Sequence, residues 1–230
     1  MGCVTFDGGQ QSECVNVEMH ILELSNGTEL HFDSGVSFCD SYIWTSGTLY
    51  IDGGTLNILD MAADGVYGNY TIHNGYLYIT QDSQQRLDLR GILRIHGGLM
   101  RVSGGYGGMT IPWGGSCELS ITGGILDFPN SGFLIQNSGY ALTTNLSGGT
   151  IKLAGNLACT RDNFLPTGTT FQVNRSSSGT QTLYCVASSR FSNLVIDSGL
   201  RSDHSGLVTG MQNTPRAEVI TLMSDINVYG

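Results

Sequence analysis

Apolar and polar residues alternate along this chain in short runs, and pairs of runs are hinged on a small-residue dipeptide. In ILRIHGGLMRV, residues 92–102, Leu93 and Ile95 precede a Gly-Gly pair and Met100 and Val102 follow it, with Arg94 and Arg101 at the intervening positions. The unit recurs as LYIDGGTLNI (49–58), YTIHNGYLYI (70–79), LRIHGGLMRV (93–102), LSITGGILDF (119–128) and TNLSGGTIKL (144–153). The second hinge residue falls at Gly54, Gly75, Gly98, Gly124 and Gly149, giving steps of 21, 23, 26 and 25 residues. An earlier copy, LELSNGTELHF (22–32), places Gly27 a further 27 residues upstream, with one extra residue after its hinge.

Alternation at period two sends successive side chains to opposite faces of a strand. Aligned copies then stack Leu56, Leu77, Met100, Leu126 and Ile151 as one inward column, and Ile58, Ile79, Val102, Phe128 and Leu153 as a second. Repetition at a nearly constant step is what stacked coils require. Glycine at the hinge supplies a positive φ at little cost, and asparagine, which replaces the first glycine in two copies, is among the next most tolerant residues. An antiparallel hairpin uses the same dipeptides. The repeat favours the solenoid: an all-β, right-handed parallel β-helix with coils of about 21–27 residues, forming a single domain over residues 1–230.

Composition fits that reading. Hydrophobic residues make up 40% of the 230, enough for a packed core, while 33 glycines and only 13% charged residues suit a turn-rich β surface better than a helical one. The formal net charge of −9 argues against a nucleic-acid partner, which needs a basic face. No apolar run approaches the roughly 18 residues of a membrane span, and the start does not read as a signal peptide. MGCVTF lacks the Ser or Thr that myristoylation wants where Phe6 stands.

The six cysteines form no CxxC or Cys/His cluster, so a zinc site of that type is not expected. Cys14 and Cys39 are 25 residues apart and Cys159 and Cys185 are 26, each about one coil. Residues one coil apart stack at roughly 4.8 Å, near the Cα separation a disulfide bridges. Two inter-coil bridges are expected, Cys14 to Cys39 and Cys159 to Cys185; the alternative is buried thiols packed as small apolar residues.

The chain ends carry a longer pattern. VTFDGGQQSECVNVEMHILEL (4–24) and FQVNRSSSGTQTLYCVASSRFSNLVIDSG (171–199) both read as a strand, a Gly/Ser-rich turn with glutamine, a short strand and an amphipathic strand, and VITLMSDINVYG (219–230) alternates again. This block resembles modules of large bacterial secreted and surface proteins, the pectin-lyase-like right-handed β-helix repeat proteins, many of which end in a type IX secretion sorting domain. The resemblance implies an extracellular or cell-surface setting and a chain that is a piece of a longer repeat protein.

That fold also hosts polysaccharide lyases and glycoside hydrolases, but fold does not imply function. The polygalacturonase pattern Asn-Thr-Asp, Asp-Asp, Gly-His-Gly, Arg-Ile-Lys is absent. Asp127 is outward, yet its column neighbours Asn57, Tyr78, Arg101 and Lys152 offer no second carboxylate for glycosidic chemistry. The acidic residues are scattered singly, whereas calcium wants six to eight oxygens. No catalytic residue, cofactor or metal is therefore assigned.

Two constellations remain. The residue before each hinge is Ser25, Asp52, His73, His96, Thr122 or Ser147, so in-register coils set Asp52, His73 and His96 in a row. Such a row can ligate a transition metal or respond to pH; polar residues at an exposed corner is the preferred reading. Tyr50 and Tyr78 are outward on their strands, with Tyr42, Trp44, Tyr67, Tyr70 and Tyr76 nearby in sequence and Tyr106 and Trp113 in the loop SGGYGGMTIPWGG (103–115). Of these, Tyr50, Tyr76, Tyr78, Tyr106 and Trp113 are candidate carbohydrate contacts, although aromatics are also ordinary strand residues. Sequons at Asn26, Asn69, Asn145 and Asn174 matter only in a eukaryotic source. The expectation is a non-enzymatic structural or adhesive module whose partner is carbohydrate or another surface protein, with a polysaccharide lyase or hydrolase as the alternative.

Overall fold

A computed structural model describes residues 3–6, 11–24, 27–40, 43–45, 47–59, 65–66, 68–81, 87–104, 108–112, 115–174, 183–197 and 227–228. Every regular element among them is a β-strand, and every strand pairing is parallel. The two strands flanking a hinge do not pair with each other. Thr48–Ile51 pairs with Glu29–Phe32 and Asn69–Ile72, while Thr55–Ile58 pairs with Val36–Cys39 and Tyr76–Gln81. The hairpin reading is thereby excluded, and the chain is a parallel β-solenoid.

Each regular coil contributes one strand to each of three walls. The first wall is a three-stranded sheet (Cys3–Phe6, Ile21–Leu24, Ile43–Thr45) followed by a six-stranded one from Gly65–Val66 to Leu183–Cys185. The second wall has seven strands, from Gln11–Glu13 to Leu142–Leu146, and the third has nine, from Glu18–Met19 to Asn193–Asp197. The hinge dipeptides form the corner between the second and third walls.

Both inward columns on the third wall are in place: Leu56, Leu77, Met100, Leu126 and Ile151 stack in register and are fully buried, as are Ile58, Ile79, Val102, Phe128 and Leu153. The second wall faces them with Phe32, Ile51, Ile72, Ile95 and Ile121. A one-residue slip would turn any column out to water at roughly 1.5–3 kcal/mol for each large side chain. Burial therefore sets the register.

Two expectations need correction. The earliest copy was aligned on the wrong corner. Gly27, with φ +72°, turns the chain from the first wall into the second, whereas Gly35, also at φ +72°, makes the turn equivalent to the other hinges. Val36 pairs with Thr55, so that coil is 19 residues long rather than 27. The two hinge positions also differ in what they demand. Positive φ is found at the second residue in four of the hinges, Gly75, Gly98, Gly124 (φ +65°) and Gly149, though not at Gly54, while a Cβ at the first residue Gly53 would stand 2.6 Å from the Asp33 carbonyl oxygen of the coil beside it. The first glycine serves close approach of backbones, not handedness.

Candidate functional site

The corner between the second and third walls gathers most of the ionisable groups that touch one another. Its geometry follows from the register. His31 lies beside Tyr50 on the outer face of the second wall, and the residues just past these strands, Asp33, Asp52, His73, His96 and Thr122, follow the consecutive register partners Phe32, Ile51, Ile72, Ile95 and Ile121. Backbone hydrogen bonds repeat the step: Asp52 N donates to Phe32 O at 3.2 Å, His73 N to Ile51 O at 3.0 Å and His96 N to Ile72 O at 2.8 Å.

Asp52 is the centre of the group. Its Oδ2 accepts from His31 Nδ1 at 2.7 Å and its Oδ1 from His73 Nδ1 at 2.5 Å. Burial acts to raise the Asp52 carboxyl, but the hydrogen bonds from His73 and His31 and their charge outweigh it and hold it below the ordinary carboxylate value. Asp33 Oδ1 lies 3.9 Å from His31 Nδ1, and Glu29 Oε2 lies 3.9 Å from His31 Nε2. The rings form a stack: His31 on Tyr50 at 4.5 Å, Tyr50 towards His73 at 6.0 Å and His73 on His96 at 5.3 Å, all within 17° of parallel. Burial, then the negative charge of Glu29, pushes the Tyr50 hydroxyl up.

The expected row of Asp52, His73 and His96 is thus contiguous, but its members do not converge on one point. His96 Nδ1 is hydrogen bonded to Thr122 Oγ1 at 2.8 Å, and its basicity is lowered by burial and by the neighbouring charges of His73 and Arg94. What converges on Asp52 from the other side is His31 and Asp33, which the misaligned first copy hid by placing Ser25 where Asp33 belongs. The same error removed the one carboxylate pair of this corner from view. Aligning the copy on Gly35 would have exposed both residues, because LHFDSGVSFC (30–39) matches LYIDGGTLNI position by position.

Further along the second wall, Glu118 accepts from Arg94 through both carboxylate oxygens, at 2.7 and 3.0 Å. On the third wall Asp127 is outward as expected and pairs with Arg101 at 2.8 Å instead of with a second acid.

The aromatic candidates divide. Tyr76 and Tyr78 share the outer face of the third wall, with ring centroids 6.0 Å apart and planes within 1°. Tyr76 is 47% exposed. Tyr50 belongs to the second wall, held in the imidazole stack, so it is no part of that platform. Tyr70, noted for its nearness in sequence, points into the core and is fully buried. Tyr106 and Trp113 lie outside the described residues, as do Tyr42, Tyr67 and the side chain of Trp44.

The cysteines correct the disulfide expectation. Cys39 stacks between Met19 and Ile58 on the third wall, while Cys14 extends the second wall beside Phe32, donating its N–H to His31 O at 2.8 Å. A separation of one coil length did not bring them together, because the two residues sit on different walls. Cys159 and Cys185 are register partners on the first wall, and they meet as hydrogen-bonded thiols with no disulfide between them. That hydrogen bond, with burial, pushes the Cys185 thiol up.

Compared with family models, curated proteins and solved structures, the chain matches none.

Proposed function

We propose that this chain is a structural and adhesive module of an extracellular or cell-surface protein, a stiff spacer whose third wall contacts carbohydrate through Tyr76 and Tyr78. The observation that carries the reading is the parallel, stacked Tyr76–Tyr78 pair on the outside of an unbroken parallel sheet. Two parallel rings on neighbouring outward positions, with Tyr76 exposed, present an apolar aromatic patch with hydroxyls on it, against which a sugar ring can pack. The outward row through Tyr78 continues with Asn57 on one side and Arg101, Asp127 and Lys152 on the other. Of these, Asn57, Arg101 and Lys152 can hydrogen bond to hydroxyls and carboxylates of an extended polymer laid across the coils, while Asp127 is buried and held by Arg101.

The spacer role rests on the coils. Their columns are fully buried from Leu56 and Ile58 through Phe171 and Val173, so neighbouring coils support one another as in other solenoids. The likeness of the end segments to pectin-lyase-like modules of bacterial secreted and surface proteins supports the extracellular placement. Against the lyase or hydrolase alternative, both oxygens of Asp52 are engaged by histidines and Asp127 is neutralised by Arg101.

A glycan array probed with the wild-type chain, Tyr76→Ala and Tyr78→Ala tests the proposal. Binding to at least one glycan class that falls about tenfold or more in either variant is expected, the loss of roughly 1.4 kcal/mol that a stacking ring supplies. No binding across neutral and acidic glycans, or binding indifferent to both substitutions, refutes the adhesive role. Release of unsaturated or reducing ends from an acidic polysaccharide would replace it with the enzymatic alternative.

A further inference from the structure

The group around Asp52 contains more than a hydrogen-bonded triad. One donor atom from each of His31, Asp33 and Asp52 lies within 4.8 Å of the others. A tetrahedral ion with bonds of about 2.0–2.2 Å holds its ligand atoms about 3.3 Å apart. His31 Nδ1 is 2.7 Å from Asp52 Oδ2 and 3.9 Å from Asp33 Oδ1, so one spacing is slightly short and the other slightly long. Movement of roughly 0.6 Å brings each of these two spacings to that value, and the Asp33–Asp52 spacing, within 4.8 Å, closes to it as Asp33 moves inward. Asp33 is exposed and can swing inward, and Asp52 is steadied by His73 on its other oxygen.

We propose that His31 Nδ1 and the carboxylates of Asp33 and Asp52 bind one divalent transition metal ion of the zinc class, clipping two adjacent coils together, with water completing the coordination. An imidazole with two carboxylates suits such ions, whereas calcium requires six to eight oxygens.

The surroundings of His31 supply an independent reason. Its Nε2 is buried and makes no hydrogen bond among the described residues, although Glu29 Oε2 stands 3.9 Å away. With Nδ1 donating to Asp52, a neutral ring turns the Nε2 lone pair towards that carboxylate, which is unfavourable. A metal on Nδ1 moves the ring proton to Nε2, where it points at Glu29. A carboxylate behind the far nitrogen is the recurrent support of a metal-bound histidine. Tyr50 stacked on the ring at 4.5 Å, and a His31 side chain only 14% exposed, keep the imidazole in its plane. His31 and Asp33 come from one coil and Asp52 from the next, so the ion would tie these two coils together.

The test is titration of the full chain with Co²⁺ and Zn²⁺, read by visible absorption and calorimetry, beside Asp33→Asn, His31→Gln and His96→Ala. One Co²⁺ per chain, displaced by Zn²⁺ but not by Ca²⁺, is expected. Affinity should fall about tenfold or more in Asp33→Asn and His31→Gln and stay unchanged in His96→Ala. Asp33 is on the surface, so its variant keeps the fold, which circular dichroism checks. No binding by the wild-type chain overturns the proposal, and so does binding that survives Asp33→Asn and His31→Gln or is lost in His96→Ala.

Discussion

Gly124→Ala is the substitution that most directly probes how the coils are held together. Gly124 has φ +65°, and a Cβ there would lie 2.6 Å from both the carbonyl carbon and oxygen of Gly97 and 2.8 Å from Gly98 O. Ordinary contact between carbon atoms is about 3.5 Å, so the two coils must part by nearly an ångström. Ile125 N donates to Gly98 O at 3.0 Å at the same place, and such a displacement takes it out of hydrogen-bonding range. The left-handed conformation costs an L-residue about 1–2 kcal/mol, the lost bond about 1 kcal/mol and the forced separation about 1–2 kcal/mol. A total of roughly 3–5 kcal/mol follows from these contributions. Gly139 is the control, because its φ is +78° but nothing lies within 4 Å of an added Cβ. Gly139→Ala carries the conformational cost alone, partly offset by the stiffer unfolded chain, and should lose about 1 kcal/mol or less. Urea unfolding followed by far-ultraviolet circular dichroism gives both values. Equal losses in the two variants would refute the claim that the hinge glycines are required by contact between coils.

Two further predictions concern electrostatics. Burial pushes the Cys117 thiol from its ordinary 9.0 up to about 11. The folded state favours the protonated thiol, so its contribution to stability is complete below pH 9 and is lost as pH rises from about 9 to 11; Cys117→Ala should flatten that part of the stability profile, and an unchanged slope would contradict it. The Arg94–Glu118 pair has good bidentate geometry but is partly exposed, at 39% and 26% of the two side chains. A double-mutant cycle with Arg94→Ala and Glu118→Ala should give a coupling of about 1 kcal/mol or less that shrinks in about 1 M salt, and a salt-independent coupling above about 2 kcal/mol would show the pair to be shielded from solvent.

Much of the fold was legible from particular residues. The alternation in LRIHGGLMRV and its repetition named ten core residues of the third wall correctly, because side-chain period and burial are local properties that repeat faithfully from coil to coil. The first copy failed for an equally physical reason. Gly27 and Gly35 share the same backbone handedness, and a sequence shows that a corner exists without showing which walls it joins. The consequence reached the site: one misassigned corner moved Asp33 out of the row that contains Asp52 and His73, and His31 away from its place beside Tyr50. The Cys14–Cys39 expectation failed in the same way, since the two are about one coil apart along the chain yet differ in phase around it, whereas Cys159 and Cys185 share a phase and do stack.

The sequence by itself determined that the chain is all β, that its strands repeat with a hinge of small residues and which side chains face inward, because period-two alternation is written into each strand separately. The tertiary structure excluded the hairpin alternative to the parallel coils that the repeat favoured, and it alone decided which corner each glycine turns and that His31, Asp33 and Asp52 meet. Those depend on how many residues each wall and corner consumes, and in coils of unequal length only the stacked backbone hydrogen bonds settle that number.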